Sequence, residues 1–154
     1  MNSLTVSSVA VIAMVFVVET ASAYTLVPTR TPFAAIGGID MIGPGLAEAC
    51  SIKLLGRVYG KGVGEINFAN IETGVGCPKQ NKSTGLPWKF KATAMSKGKL
   101  FGVDIVGPGV NCGPSTIPVK IGTTGVVTFN NVSMLGGCTV SGSMQTNPQI
   151  TTAP

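Results

Sequence analysis

The 154-residue chain has no histidine, two arginines, one tryptophan and six acidic residues. Without histidine, Ser-His-Asp and Cys-His nucleophilic catalysis have no general base, and His-bearing metal sites are excluded. Five acids follow the first twenty-three residues: Asp40, Glu48, Glu65, Glu72 and Asp104. Nothing in their spacing brings two together as a glycosidase pair. Gly43-Pro44-Gly45 and Gly107-Pro108-Gly109 are glycine-rich but lack the helix start that a phosphate cradle needs, so they read as turns. No motif singles out a Ser–Lys dyad. The chain is therefore expected not to be an enzyme, with no catalytic residue, metal or cofactor. Charge is sparse, at 11% of residues and a net +5. The lysines read as scattered, solvated positions that blunt strand edges. No basic run is interleaved with stacking aromatics, so no nucleic-acid partner is expected; attraction to an anionic cell surface is compatible with the charge.

Long apolar runs are also missing, apart from one. Val6 to Val18 is followed by the small-x-small sequence Ala21-Ser22-Ala23, the pattern of a cleaved signal peptide. Thirteen residues of helix reach only about 20 Å, short of a bilayer core of roughly 30 Å. Residues 1–23 are assigned as signal peptide and residues 24–154 as a single domain. The mature chain then has 154 − 23 = 131 residues and, without Glu19, a net charge of +6. That length supports a true hydrophobic core. No later segment is apolar enough to span a membrane as a helix, so the product is expected to be secreted, extracellular or on the cell surface.

What the mature chain does have is a repeat. Gly64-Glu65-Ile66-Asn67-Phe68-Ala69-Asn70-Ile71 runs on to Gly76-Cys77. Sixty-one positions later, Gly125-Val126-Val127-Thr128-Phe129-Asn130-Asn131-Val132 runs on to Gly137-Cys138. Each copy follows another cysteine, Cys50 or Cys112, at nearly the same distance. The four cysteines include no Cys-x-x-Cys, which argues against zinc, and an even count in an exported chain reads as disulfides. Of three possible pairings, the repeat favours Cys50–Cys77 and Cys112–Cys138, each closing the open end of one hairpin. In both copies the apolar parity slips after the phenylalanine. An extra residue at Ala69-Asn70 and at Asn130-Asn131, a β-bulge, restores inward packing.

Helix signals are nearly absent, while Gly, Thr, Val and Ile punctuate strand-like runs. Phe33 to Ile36 reads as a short strand before a Gly/Pro loop at Gly37 to Gly45. Glu48 to Tyr59 turns through Gly60-Lys61-Gly62 into Glu65 to Thr73. Cys77 to Gly85 reads as loop. Trp88 to Met95 alternates cleanly, with Trp88, Phe90, Ala92 and Ala94 on one side and Lys89, Lys91 and Thr93 on the other. Strands follow at Lys99 to Val106, Ile117 to Ile121, Val126 to Met134 and Thr139 to Thr146. The fold class is all-β: an antiparallel β-sandwich, or a partly closed barrel, of about eight strands with a duplicated, disulfide-closed hairpin. Trp88 has two readings, a core anchor or an apolar contact residue. Met41, Met95, Met134 and Met144 likewise suit either a soft binding surface or gap-filling. Asn81-Lys82-Ser83 and Asn131-Val132-Ser133 have the form of glycosylation sequons, without meaning in a bacterial source.

Gly85-Leu86-Pro87-Trp88, Cys112-Gly113-Pro114-Ser115-Thr116, Phe129-Asn130-Asn131 and Gly136-Gly137-Cys138-Thr139-Val140-Ser141-Gly142 resemble the secreted bacterial activators of alkane oxidation. The similarity is best from Gly85 to Thr146. It implies a non-enzymatic extracellular protein that promotes alkane uptake and oxidation by emulsifying or contacting hydrocarbon or another apolar surface. The alternative reading is an extracellular matrix or fibre subunit that self-associates by strand addition, with Tyr24 to Pro32 and Asn147 to Pro154 as possible donor ends.

Overall fold

The structure, a computed structural model, describes residues 24–72, 74, 76, 77 and 81–154. The signal peptide assigned to residues 1–23 lies outside the described residues. Eleven strands form and, among the described residues, no helix: β1 (Thr25–Val27), β2 (Pro32–Gly43), β3 (Leu46–Val58), β4 (Val63–Glu72), β5 (Lys82–Thr84), β6 (Trp88–Ala94), β7 (Lys97–Gly107), β8 (Val110–Ile121), β9 (Val126–Met134), β10 (Cys138–Asn147) and β11 (Thr151–Ala153).

Strands β7, β6, β4, β3, β2, β10, β9 and β8 lie side by side in that order, and β8 pairs back onto β7. Every pairing is antiparallel, so the chain closes an eight-stranded barrel. β5 pairs with β7 at Asp104–Val106, beyond the stretch that β6 covers, so β5 and β6 together fill one place in the wall. Alternation along each strand sends one set of side chains into the lumen. Phe33, Met41, Leu54, Trp88, Phe90, Phe129 and Met144 meet there in a single core. The lumen is filled: a void of only about 20 Å³ remains between Phe33, Leu54, Phe90 and Met144. The outward set carries most of the charge. An apolar lumen within a lysine-bearing exterior is the reverse of an outer-membrane barrel.

The two ends differ. At one end β1 and β11 pair with each other as a small separate sheet. That sheet is anchored by Leu26 and Ile150, both 0% exposed. Ser96 N–H donates to Thr152 Oγ1 (2.8 Å) and Ile150 N–H to Thr146 Oγ1 (2.8 Å). Closure of the barrel and this cap pair most strand edges, except along the β8–β9 seam, where only two residue pairs form. The opposite end holds both disulfides, Cys50–Cys77 beside β3 and β4, and Cys112–Cys138 from β8 to the start of β10. These are the pairings that the repeat favours.

Several sequence boundaries shift. The loop expected at Gly37 to Gly45 is strand as far as Gly43, because β2 runs unbroken from Pro32. Gly37 is glycine for a packing reason, since a Cβ there would collide with the Ser143 carbonyl of β10. Part of the loop expected at Cys77 to Gly85 is strand β5. The segments Tyr24 to Pro32 and Asn147 to Pro154, read as possible donors, contain β1 and β11, which pair with each other.

The repeat has a bulge in each copy, but at different places. In β9, Gly142 pairs with Phe129 and Val140 with Val132, so Asn130 and Asn131 both face Ser141, as expected. Asn131 takes a left-handed φ of 48°, a conformation asparagine tolerates. In β4, Leu55 pairs with Phe68 and Gly56 with Ile66, which leaves Asn67 as the extra residue. The slip therefore precedes Phe68 instead of following it. Phe129 points inward and Phe68 outward, with exposures of 7% and 47%. The reason is space. A Cβ on Gly142 would stand 2.6 Å from Phe129 Cζ, so the glycine makes room for that ring. Beside β4 the lumen is already occupied by Phe33, whose ring lies 2.9 Å from where a Cβ of Gly56 would be.

Candidate interfacial surface

Trp88, offered by the sequence as a core anchor or an apolar contact, is core. It is 2% exposed, and its Nε1–H donates to the Thr84 carbonyl (2.8 Å). It presents nothing to an outside partner in this fold. Met41, Met134 and Met144 are buried as well, and only Met95 is exposed.

The exposed apolar side chains lie elsewhere. The register of β2, β3 and β4 sets Ala34 opposite Leu55 and Leu55 opposite Phe68, all on the outer wall. Ile36, 58% exposed, is two residues along β2 from Ala34. The outward positions of β2 are Pro32, Ala34, Ile36, Gly38, Asp40 and Ile42, with a single charge among them. β2 therefore presents an almost apolar face to each side, Phe33, Ala35, Ile39 and Met41 filling the lumen. No packing need explains Ile36, Leu55 and Phe68, since the core is complete without them. Sequence reasoning missed this strip because Gly37-Gly38 concealed the alternation of β2 and because Phe68 was placed inside with Phe129.

Two grooves run along the outer wall. One, of about 750 Å³, is lined by small and polar residues, including Gly38, Ser51, Ser141 and Ser143, with Asp40 and Glu72. Those two acids stand on β2 and β4, with β3 between them. Two inter-strand spacings plus the offset in register put their Cα atoms roughly 12 Å apart, so the two carboxylates are not direct cross-strand neighbours. The second groove, of about 690 Å³, follows the β8–β9 seam.

At the disulfide end, Glu48, Cys50 and Cys77 place an oxygen and two sulfurs within 4.8 Å of one another. The sulfurs are bonded to each other, so neither is a thiolate, and the trio offers a cation one carboxylate only. Asn81 fills the space beside it. Its Nδ2 donates to Glu48 Oε2 and lies 3.8 Å from each sulfur, while its Oδ1 is buried and has no partner among the described residues. Asn81 is buried and Asn131 exposed, so of the two sequon asparagines only Asn131 is accessible. Asp104 accepts from Thr84 Oγ1 (2.8 Å) and serves to hold β5 against β7.

These features define a class: a small antiparallel barrel with an apolar, filled lumen, held by two disulfides at one end. The whole chain, residues 1–154, matches the family described as alkane oxidation protein activator PraA/PraB-like, and the protein belongs to that family. No curated protein and no solved structure matches it.

Proposed function

We propose that this member of the family acts as a secreted, non-enzymatic surface protein that contacts hydrocarbon through the outer wall of β2, β3 and β4. The observation that carries the reading is the exposed row Ala34–Leu55–Phe68 with Ile36 beside it. Burying apolar surface yields about 25 cal/mol per Å², so some 200 Å² of strip against oil contributes about 5 kcal/mol. Because the lumen is filled, alkane is met on the outside of the barrel and not carried within it. Two disulfides oppose the unravelling that adsorption otherwise promotes. Disulfides and the signal-peptide pattern support export. The lack of histidine supports a role without catalysis.

The test is pendant-drop tension at a hexadecane–water interface, together with droplet stability, using the oxidised mature protein and a disulfide-bonded control of similar size. The wild type is expected to exceed the control. A variant carrying Leu55→Asn and Phe68→Asn is expected to fall to the control while keeping its fold. Wild type equal to the control would end the proposal.

A further inference from the structure

The lysines that look scattered in the sequence converge in space. Lys89 and Lys91 point outward from β6, Lys97 and Lys99 from β7, and Lys120 from β8, all of them exposed. Lys91 pairs directly with Lys99, and Lys97 with Lys120. Like charges facing each other across a strand pair destabilise a sheet. Glu65, opposite Lys89, is the one acid that the register sets against this group.

The same wall is open. β8 and β9 pair only at Lys120–Thr128 and Ile121–Val127. The amide of Gly122 points to Val126 O (2.7 Å) and that of Ile121 to Ser96 O (2.9 Å), so even positions of this stretch face β9. At position 118 that donor is missing because the residue is proline, and opposite it β9 carries the Asn130-Asn131 bulge. The ladder ends there. The resulting groove is lined by the partly exposed Val132 and by Pro118, with the edges of the core residues Val119 and Phe129 at its bottom, and Lys97, Lys99 and Lys120 along its rim.

We propose that this seam is a binding site for a single-chain anionic amphiphile, an alkyl chain bearing a carboxylate. The chain lies along Val132 and Pro118, over the edges of Val119 and Phe129 that the open seam leaves uncovered, and the head group sits between the ammonium groups of Lys97, Lys99 and Lys120, relieving their mutual repulsion. A free polar anion leaves the apolar lining unused and an alkane leaves the lysines unpaired; only a molecule with both parts satisfies both. β8 is four strands from β3 in either direction around the barrel, so this site is separate from the hydrocarbon strip and does not rest on that reading.

The experiment is calorimetric titration of the full oxidised chain with dodecanoate below its micelle-forming concentration, with amide NMR shifts to locate the site. Acetate, inorganic phosphate, dodecanol and phosphatidylglycerol vesicles serve as separate probes. Dodecanoate is expected to bind one-to-one, to shift amides of β8 and β9, and to weaken with added salt. Lys99→Gln with Lys120→Gln, both at exposed positions, is expected to weaken it about tenfold, the effect of two charge pairs. Phosphate binding as tightly as dodecanoate would reduce the site to a charge patch and overturn the proposal. So would dodecanol binding equally well with no effect of the lysine changes, vesicle binding without dodecanoate binding, or no binding at all. The variant's melting temperature, expected at or slightly above wild type, shows that any loss is not unfolding.

Discussion

Two phenylalanines at equivalent positions of the repeat make the sharpest test of the fold. Phe129 fills the lumen against the space left by Gly142, whereas Phe68 lies on the outer wall beside Leu55. Removing a buried phenylalanine ring costs roughly 3–5 kcal/mol, because transfer and cavity terms add. Phe68→Ala removes a half-exposed ring that supports no core residue, and its cost is expected to stay below about 1 kcal/mol. For a domain of this size 1 kcal/mol is roughly 3–5 °C of melting temperature, so Phe129→Ala should lower Tm by about 10–20 °C and Phe68→Ala by less than 5 °C. Guanidinium unfolding of both variants, disulfides intact and followed by Trp88 fluorescence, measures the difference as free energy. The reasoning predicts opposite ranks in a second assay: Phe68→Ala should weaken hexadecane adsorption, and Phe129→Ala should leave it intact at temperatures where the variant is folded. Equal destabilisation by the two substitutions would refute the placement of the β4 bulge before Phe68 and, with it, the exposed strip.

Three further outcomes follow from the same geometry. Replacing Cys112 and Cys138 by alanine opens a 26-residue loop, for which the chain-entropy model gives a loss of about 3–4 kcal/mol in denaturant unfolding. Gly142→Ala sets a Cβ 2.6 Å from Phe129 Cζ and 2.7 Å from the Gly38 carbonyl; it is expected to cost about 1–3 kcal/mol by overpacking, and Phe129→Leu in the same chain should recover part of that loss. Lys99→Glu converts the Lys91–Lys99 pair to opposite charge; stability is expected to rise by about 0.2–1 kcal/mol, and the gain should shrink as salt is added.

The all-β class, the duplicated hairpin and the disulfide pairing were legible because each leaves a local mark: β-branched alternation, a repeat with a fixed offset, and cysteines at matching distances. The strand from Trp88 was clear for the same reason, its lysines and apolar residues strictly alternating. Gly37-Gly38 misled because glycine signals a turn, whereas Gly37 here lets two backbones approach within a sheet, a requirement set by Ser143 more than a hundred residues away. β1 and β11 are three-residue strands that exist only because residues 25–27 meet residues 151–153, far away in the sequence. The parity slip in each repeat was visible, but its position depends on which ring the lumen can hold, and Phe33 decides that for β4. The lysine wall was hidden for a related reason: Lys97 and Lys120 are far apart in the chain and become neighbours only when β8 pairs with β7.

The most direct test of the central claim is to find which wall meets oil. Hydroxyl-radical footprinting of the oxidised protein adsorbed on hexadecane droplets, combined with lysine acylation, reads both walls at once. The account predicts protection of Leu55, Phe68 and Ile36 relative to protein in solution, with Lys97, Lys99 and Lys120 as reactive as before. Protection of the lysine wall with Leu55 and Phe68 still labelled, or uniform protection of every wall, would contradict it.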